Sequence, residues 1–249
     1  MVLLGVISLT FAAPVAPVKL NGPLVSGGSA GGVFQISPAS DRVVYLADQE
    51  VNGRQELYSV PVSNPSAAVK LSVGNVWGVM PRISPNGNDV VYWADPYGQN
   101  VDDVFSCPID GSAAPVRLSD GMFGAQNDFE ISPDSNYVVY RRGSYPHTLI
   151  SIPITGGARV EIGGRNLSYR KVESFAISPD SSRAIYISDK DVDGVDELFA
   201  CQIHTSSTSV QLSAPLVSGG DVKHMGFAGD GRVVYLADQE TDSKDELYT

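Results

Sequence analysis

The sequence predicts an all-β fold, a β-propeller of five four-stranded antiparallel blades. An Ile-Ser-Pro turn followed by a Val-Val-Tyr strand, or a close variant of this pair, recurs along the chain. Its tyrosine returns after 47, 48, 46 and 49 residues, at Tyr45, Tyr92, Tyr140, Tyr186 and Tyr235. Short apolar segments lie between turn residues, and none shows a helical period. A period of this length marks a repeat architecture, and four strands per repeat form a propeller blade.

The first complete repeat shows the four strands in order. Val33 to Ile36 is the predicted first strand, and the Ser-Pro segment after it is rich in residues that favour turns. Arg42 to Ala47 is β-branched and aromatic, and is predicted as the second strand. A hairpin that contains Asn-Gly leads to the third strand, Glu56 to Val62, and the fourth is Ala67 to Leu71.

The two ends of the sequence complement each other. The sequence stops at Thr249, early in the third strand of the fifth repeat, and Val15 to Leu20 matches the fourth strand of the first repeat. We therefore predict one domain over residues 1–249, whose last blade is closed jointly by N- and C-terminal strands and leaves no free edge. The alternative is an excerpt from a larger propeller. The predicted blades span about 31–72, 79–119, 128–163, 173–213, and 223–249 together with 1–21.

The N-terminal apolar stretch has a second interpretation. Residues 1–13 are apolar, and Ala12-Ala13 could precede the cleavage site of a signal peptide. However, no Lys or Arg precedes Lys19, so the positive segment of a signal peptide is missing. A strand is therefore favoured, and the stretch is too short for a membrane span.

The charge balance limits the class of partner. The chain has 17 Lys and Arg against 28 Asp and Glu, which gives a formal net charge of −11. Nucleic-acid binding needs clustered cations, and the sequence has no such cluster. An acidic surface instead favours solubility and the attraction of cations.

The two cysteines are predicted to be free. Cys107 and Cys201 occupy the same strand position in the second and fourth repeats. Those repeats are not neighbours in a ring or an array, so the sulfurs are too far apart to bond. We expect two buried thiols that act as small apolar residues.

The repeat resembles that of the TolB-like, WD40-like β-propellers found in bacterial proteins. The resemblance rests on Ile-Ser-Pro-Asp or -Asn, then Val-Val-Tyr, then a Glu-Leu-Tyr or Asp-Val-Phe strand, and it covers nearly the whole chain. It implies a periplasmic protein-binding platform, or a propeller like those that cover prolyl oligopeptidase-type active sites. The peptidase chemistry does not transfer, because the chain lacks a Gly-x-Ser-x-Gly elbow.

The hairpins between second and third strands carry the strongest polar pattern. Their first and last positions are acidic in four repeats: Asp48 with Glu56, Asp95 with Asp103, Asp189 with Glu197, and Asp238 with Glu246. Like charges across a hairpin need a compensating group. In the fourth repeat Asp189, Asp191 and Asp193 alternate before a glycine, as oxygen ligands do at the start of a calcium loop. Two interpretations follow, a solvated hairpin or a calcium site.

The connections between repeats suggest a contact surface. They share one face of a propeller with the hairpins, and they carry large apolar residues among glycines. The predicted binding residues are Trp77, Met80, Met122, Phe123 and Tyr169, together with Asp128 and Glu173. The aromatic and methionine side chains could alternatively fill gaps between blades.

These observations favour a non-catalytic propeller, monomeric and periplasmic or extracellular, that binds a protein or peptide through its loops. One alternative is a calcium-binding module of a larger extracellular protein. Another is a glycoside-active five-bladed enzyme, in which Asp128 and Glu173 would be the paired carboxylates at the channel mouth. No cofactor is predicted apart from calcium.

Overall fold

The computed structural model of the chain describes residues 16–76, 80–96, 98, 103–119, 125–143, 148–163, 171–206 and 208–249. The strands of these segments form five antiparallel sheets in chain order, which we number one to five. The described chain also has one short 3-10 turn, Pro65–Ala67. The prediction of an all-β fold with five successive antiparallel sheets is confirmed.

Within the described segments, four of the sheets have four strands each and the fifth has three. Sheet one contains β1 (Ala30–Ile36), β2 (Arg42–Ala47), β3 (Glu56–Pro61) and β4 (Val69–Lys70). Sheet two contains β5 (Arg82–Ile83), β6 (Asp89–Ala94), β7 (Asp103–Pro108) and β8 (Val116–Arg117). Sheet three contains β9 (Ala125–Ile131), β10 (Tyr137–Arg142), β11 (Thr148–Pro153) and β12 (Val160–Ile162). Sheet four contains β13 (Val172–Ile177), β14 (Arg183–Ser188), β15 (Glu197–Gln202) and β16 (Val210–Gln211). Sheet five contains β17 (Val222–Phe227), β18 (Val233–Ala237) and β19 (Glu246–Tyr248).

The repeated tyrosine fixes the pairing of second and third strands. In sheet one it lies opposite another aromatic residue, Tyr58, and the two rings stack with centroids 5.7 Å apart. The same stack joins Tyr92 to Phe105 at 5.8 Å and Tyr235 to Tyr248 at 5.2 Å. Cross-strand aromatic pairs stabilise a particular register, since a slip of one residue would turn each ring to the other side of its sheet.

The Ser-Pro turn joins the first and second strands through its serine. Ser132 Oγ accepts a hydrogen bond from the backbone N–H of Tyr137 at 2.9 Å, and Ser178 Oγ accepts one from Arg183 at 3.0 Å. Three residues after each serine the backbone enters the left-handed region, as at Ser135 with φ of 65°. The hydroxyl therefore holds a tight turn closed.

The sheets pack face to face in chain order, and each neighbouring pair shares one apolar core. In the first of these cores Val44 and Leu57 of sheet one meet Tyr92 and Phe105 of sheet two, and all four are buried. Three further cores join sheets two and three, three and four, and four and five. This nearest-neighbour packing is that of propeller blades.

The predicted joint closure of the fifth sheet stays a prediction. Residues 1–15 lie outside the described chain, and residues 16–20 form no strand. Leu20 packs against the apolar cluster of sheet one, which includes Tyr45 and Tyr58.

Both cysteines are free and buried, as the sequence predicts. Burial raises the pKa of the Cys107 thiol to about 12, and that of Cys201 likewise. Burial therefore favours the neutral thiol at both positions.

Candidate functional site on the loop face

The described parts of the hairpins and of the connections between sheets form one surface, which we call the loop face. Both lie at the same ends of the antiparallel strands, and backbone hydrogen bonds join them. Asp48 N–H donates to the carbonyl of Ser29 at 2.9 Å, and Val217 N–H donates to that of Gln239 at 3.1 Å. In each case a hairpin is tied to the connection that enters its own sheet.

A buried aspartate at the start of the hairpin adds further hydrogen bonds between the hairpin and the connection. Asp238 accepts hydrogen bonds from the N–H of Asp221 in the connection at 2.6 Å and from that of Ser243 in the hairpin at 3.0 Å. These backbone donors, with help from the Lys223 ammonium, lower the pKa of Asp238 to about 2. Asp189 accepts from Lys171 N–H at 2.8 Å in the same way. The aspartates are thus structural residues of the loop face.

In sheets one, two and four the acidic residue at the other end of the hairpin is compensated by the fourth strand, whereas Glu246 of sheet five pairs with Lys244 of its own hairpin. Lys70 Nζ lies 2.7 Å from Glu56, Arg117 forms an ion pair with Asp103, and Gln211 donates to Glu197 at 2.9 Å. Lys70, Arg117 and Gln211 occupy the same position on β4, β8 and β16, each opposite the aromatic residue of the third strand. The compensating group that the sequence requires is therefore a neighbouring side chain.

The three aspartates of the predicted calcium loop are not brought together. Asp189 is buried on the backbone of Lys171, and Asp191 is exposed and paired with Lys190 at 2.6 Å. Asp193 is also exposed. Within the described segments, no three His, Cys, Asp or Glu side chains are grouped so that they could hold a metal ion. Nothing in the geometry supports the calcium interpretation, which stays a prediction.

The two carboxylates proposed as a catalytic pair lie on neighbouring first strands. Asp128 of β9 forms an ion pair with Arg141 at 2.6 Å, and Glu173 of β13 forms one with Lys171 at 2.6 Å. Arg141 also donates to the backbone carbonyl of Glu173 at 2.9 Å, so one guanidinium joins both positions. Each carboxylate is therefore engaged in an ion pair with a neighbouring side chain.

Of the predicted apolar contact residues, Met80 is described and is 47% exposed. The other four, Trp77, Met122, Phe123 and Tyr169, lie outside the described residues. Two exposed apolar residues of the hairpins were not singled out by the sequence analysis. Val51 and Val192 lie in the hairpins of sheets one and four and are 49% and 51% exposed. The signal that could have found them is a single valine inside an otherwise polar hairpin.

A cleft lies on the opposite side, between sheets four and five. The cleft has a volume of about 690 Å³ and is lined by the turn between the first and second strands of sheet four and by the equivalent turn of sheet five. Arg183, Ile185 and Phe227 are among the lining residues. In sheets three and four the fourth residue of this turn is a serine, and its hydroxyl accepts a hydrogen bond from the turn of the preceding sheet. In sheet five the fourth residue is Gly231, which has no hydroxyl. The cleft therefore lies between two turns that this hydrogen bond does not join.

No helix of the described chain is long and apolar enough to cross a membrane. Comparison with protein-family models found no match, and comparison with curated proteins found none.

Comparison with solved structures found similar folds at low identity. A prolyl endopeptidase structure matches with a TM-score of 0.58 and 13% identity, over 89% of this chain and 33% of that chain. An oligogalacturonate lyase from Vibrio parahaemolyticus matches with a TM-score of 0.57 and 12% identity, over 86% of this chain and 60% of that one. TolB from Acinetobacter baumannii matches with a TM-score of 0.48 and 12% identity, over 82% and 48% of the two chains.

Likeness at such identities shows the fold and leaves activity to be argued from this chain's own residues. The chain spans between a third and 60% of the length of these three solved chains. Five successive antiparallel sheets, the Ile-Ser-Pro and Val-Val-Tyr repeat, and the match to a prolyl endopeptidase agree with one another. The fold is that of a β-propeller, and its repeat resembles that of TolB-like, WD40-like propellers.

Proposed function

We propose that this protein is a non-catalytic scaffold that binds a basic protein or peptide through its loop face. The observation that carries the proposal is the combination of exposed apolar and acidic groups on that face. Val51 follows Glu50, Val192 follows Asp191, and all four are exposed. Exposed apolar groups rimmed by charge are typical of interaction surfaces.

The negative charge of the chain indicates that its partner is basic. The net charge is −11, and the exposed Glu50, Asp191 and Asp193 add local negative potential around the two valines. A partner with Lys or Arg beside large apolar side chains fits such a surface, and its association is accelerated by the field.

The non-catalytic part of the proposal rests on Asp128 and Glu173. Each is held in an ion pair at 2.6 Å, with Arg141 and with Lys171, whereas a glycosidase needs both carboxyl groups directed at the scissile bond of its substrate. Hydrolysis of a panel of glycosides that D128N abolishes would contradict this part.

The location and oligomeric state complete the proposal. We expect a monomer in the periplasm or outside the cell, since the repeat resembles that of periplasmic TolB-like propellers. Separation of periplasmic and cytoplasmic fractions of the source cell tests the location, and light scattering on the purified chain tests the state.

The binding proposal is tested by selecting phage-displayed random peptides on the purified chain. We expect enrichment of peptides that combine Lys or Arg with large apolar residues, and binding that weakens as salt is raised. V51D/V192D should reduce affinity at least tenfold. The matched control V62D/V210D changes two exposed valines away from the hairpins, 45% and 65% exposed, and should bind as wild type does. Equal binding by all three proteins would place the site elsewhere.

A further inference from the structure

The hairpin of sheet one has an Asn-Gly pair at its tip. Asn52 and Gly53 are the middle residues of a turn that is closed by a hydrogen bond from Arg54 N–H to the carbonyl of Val51 at 3.1 Å. Both residues are exposed, and Gly53 has φ of 78°. At an asparagine before a glycine the chain can react with itself, because glycine has no side chain to shield its backbone nitrogen.

The reaction is loss of ammonia from the carboxamide. The backbone nitrogen of Gly53 gives up its proton and attacks Cγ of Asn52, so that an N–Cγ bond forms. The Cγ–Nδ2 bond then breaks, Nδ2 takes up a proton and leaves as ammonia, and a five-membered succinimide ring remains. Water opens the ring at one of its two carbonyls, which gives aspartate or isoaspartate at position 52. Water is the only co-reactant.

The Asn52 carboxamide is free to turn toward this nitrogen. Among the described residues it has no hydrogen-bond partner. A carboxamide without hydrogen bonds changes its rotamer at little cost, so Cγ can approach the nitrogen of Gly53. The space beside Gly53 is open as well, since a Cβ placed there would meet no atom within 4 Å. The ring therefore has room to form.

A carboxylate lies where it can take the proton of Gly53. Asp48 Oδ2 accepts a hydrogen bond from Gly53 N–H at 3.0 Å. Asp48 is buried, and its other oxygen, Oδ1, has no hydrogen-bond partner among the described residues. A general base must lie within hydrogen-bond reach of the proton that it removes, and Asp48 meets this condition. The carboxylate that closes the hairpin is thus also placed to activate the attacking nitrogen.

The sequence contains two further Asn-Gly pairs, and the structure separates them from the first. Asn86 Oδ1 accepts hydrogen bonds from Ser84 Oγ at 2.8 Å and from Asn88 N–H at 3.0 Å. The nitrogen of Gly87 donates to the carbonyl of Ser84 at 2.8 Å, and a carbonyl oxygen is a far weaker base than a carboxylate. The carboxamide of Asn86 is therefore held, and its neighbouring nitrogen is not activated.

Asn21 of the third pair is also held. It is half-buried, and its Nδ2 donates a hydrogen bond to the carbonyl of Gly22 at 2.9 Å. The backbone of Gly22 in turn hydrogen-bonds the hydroxyl of Tyr45. Formation of the ring at this pair would break both contacts. Three identical dipeptides thus differ in their surroundings, and only the one in the hairpin combines a free carboxamide with a base.

We propose that Asn52 is a self-modifying site, which loses its amide by attack of the Gly53 nitrogen with Asp48 as the base. The product carries a carboxylate where Asp193 and Asp242 stand in the hairpins of sheets four and five. Each event adds one negative charge to the net −11 of the chain, on the exposed tip of a hairpin. This inference does not depend on the proposed function.

Peptide mapping of the purified chain tests the proposal. The chain is kept at physiological pH and temperature and digested with trypsin, and mass spectrometry follows aspartate and isoaspartate at positions 21, 52 and 86. We expect position 52 to convert about tenfold faster than the other two, because its carboxamide can reach the nitrogen whereas theirs are held. Equal rates at the three positions, or a faster rate at position 21 or 86, would overturn the proposal.

A variant at Gly53 tests the attacking nitrogen. G53S introduces the residue that sheet five has at this place, Ser243, which adopts a similar φ of 62°. The turn should be kept, and the conversion at position 52 should slow by about tenfold because a side chain now crowds the nitrogen. The rate at position 86 should stay that of wild type. An unchanged rate at position 52 would contradict ring closure through this nitrogen.

A variant at Asp48 tests the base. D48N keeps an oxygen that can accept the Gly53 N–H but is no longer a base, and should slow the conversion at position 52 by about tenfold. The rate at position 86 again serves as the control for the fold, and G53S decides the proposal if D48N does not fold. A D48N protein that is folded and converts as fast as wild type would remove Asp48 from the reaction.

Discussion

At the scale of single residues, the buried aspartates of the hairpins stabilise the fold. A buried carboxylate is costly unless donors surround it, and the backbone N–H groups of the loop face supply them. Asp238 and Asp189 each accept from the connection that precedes their sheet. The sequence predicted that the like charges needed compensation, but it could not tell a metal ion from an amide donor, because the connections show no pattern.

Substitutions in the hairpin of sheet four distinguish a structural role of its aspartates from a metal-binding role. D189A should reduce the free energy of unfolding by about 1–3 kcal/mol, since Lys171 N–H loses its acceptor. The matched control D191A removes an exposed pair with Lys190 and should cost less than about 0.5 kcal/mol. Urea unfolding measures both. If millimolar calcium stabilises wild type and D191A abolishes that gain, the loop is a metal site after all.

Glu130 gives a prediction with a pH dependence. Burial raises its pKa above the ordinary 4.5, outweighing the attraction of Arg82, while it accepts the Ile177 N–H at 3.0 Å. Because the folded pKa is raised, the charged form disfavours folding above that pKa. E130Q keeps the acceptor and should be more stable than wild type at pH 7. The advantage should shrink as pH falls and vanish below about pH 4.5.

Sheet one supplies the control, since Gln35 accepts the Ile83 N–H at 3.1 Å from the equivalent position. Q35E should introduce the pH-dependent loss of stability that E130Q removes. Unfolding in urea at several pH values between 4 and 8 measures both variants. A constant difference between E130Q and wild type across that range would show that burial does not control this carboxyl.

At the scale of elements, the second and third strands follow directly from the sequence, whereas the first and fourth do not. Val-Val-Tyr and its aromatic partner predict β2 and β3 within a residue, because β-branched and aromatic residues pack well on a half-buried sheet. The fourth strand is shorter than predicted, Val69–Lys70, since Pro65–Ala67 forms a 3-10 turn before it. β1 begins earlier than predicted, at Ala30, through an irregular pairing around Gly31 and Gly32.

The turn between first and second strands allows a test of its serine. Ser135 has positive φ, and its hydroxyl accepts the Asn86 N–H at 3.0 Å. S135A loses the hydrogen bond and keeps the unfavourable backbone, so it should cost about 1–3 kcal/mol. S135G loses the same bond but relieves the backbone, as Gly87 does at the equivalent position, and should cost less. Thermal unfolding ranks the two, and the reverse order would contradict the argument.

At the scale of the whole molecule, the period of the tyrosine predicts five sheets in chain order, and the structure has them. The arrangement of their ends is a different matter. A repeat specifies contacts between neighbours, since each sheet meets the next through the same positions. It does not specify how many neighbours complete the array, and this is why Leu247 and Ile36 were not distinguished in the sequence from their buried counterparts.

Packing between neighbouring sheets predicts that a substitution destabilises only the sheets that it contacts. The hydroxyl of Tyr92 donates to Leu71 O of the preceding sheet at 3.1 Å, whereas that of Tyr235 donates to Gln239 within sheet five at 2.9 Å. Y92F should cost about 1 kcal/mol and speed amide hydrogen exchange in sheets one and two, with sheet four unchanged. The control Y235F should act on sheet five alone. If Y92F accelerates exchange equally in every sheet, the array opens as one cooperative unit and its stability is not a sum of neighbouring interfaces.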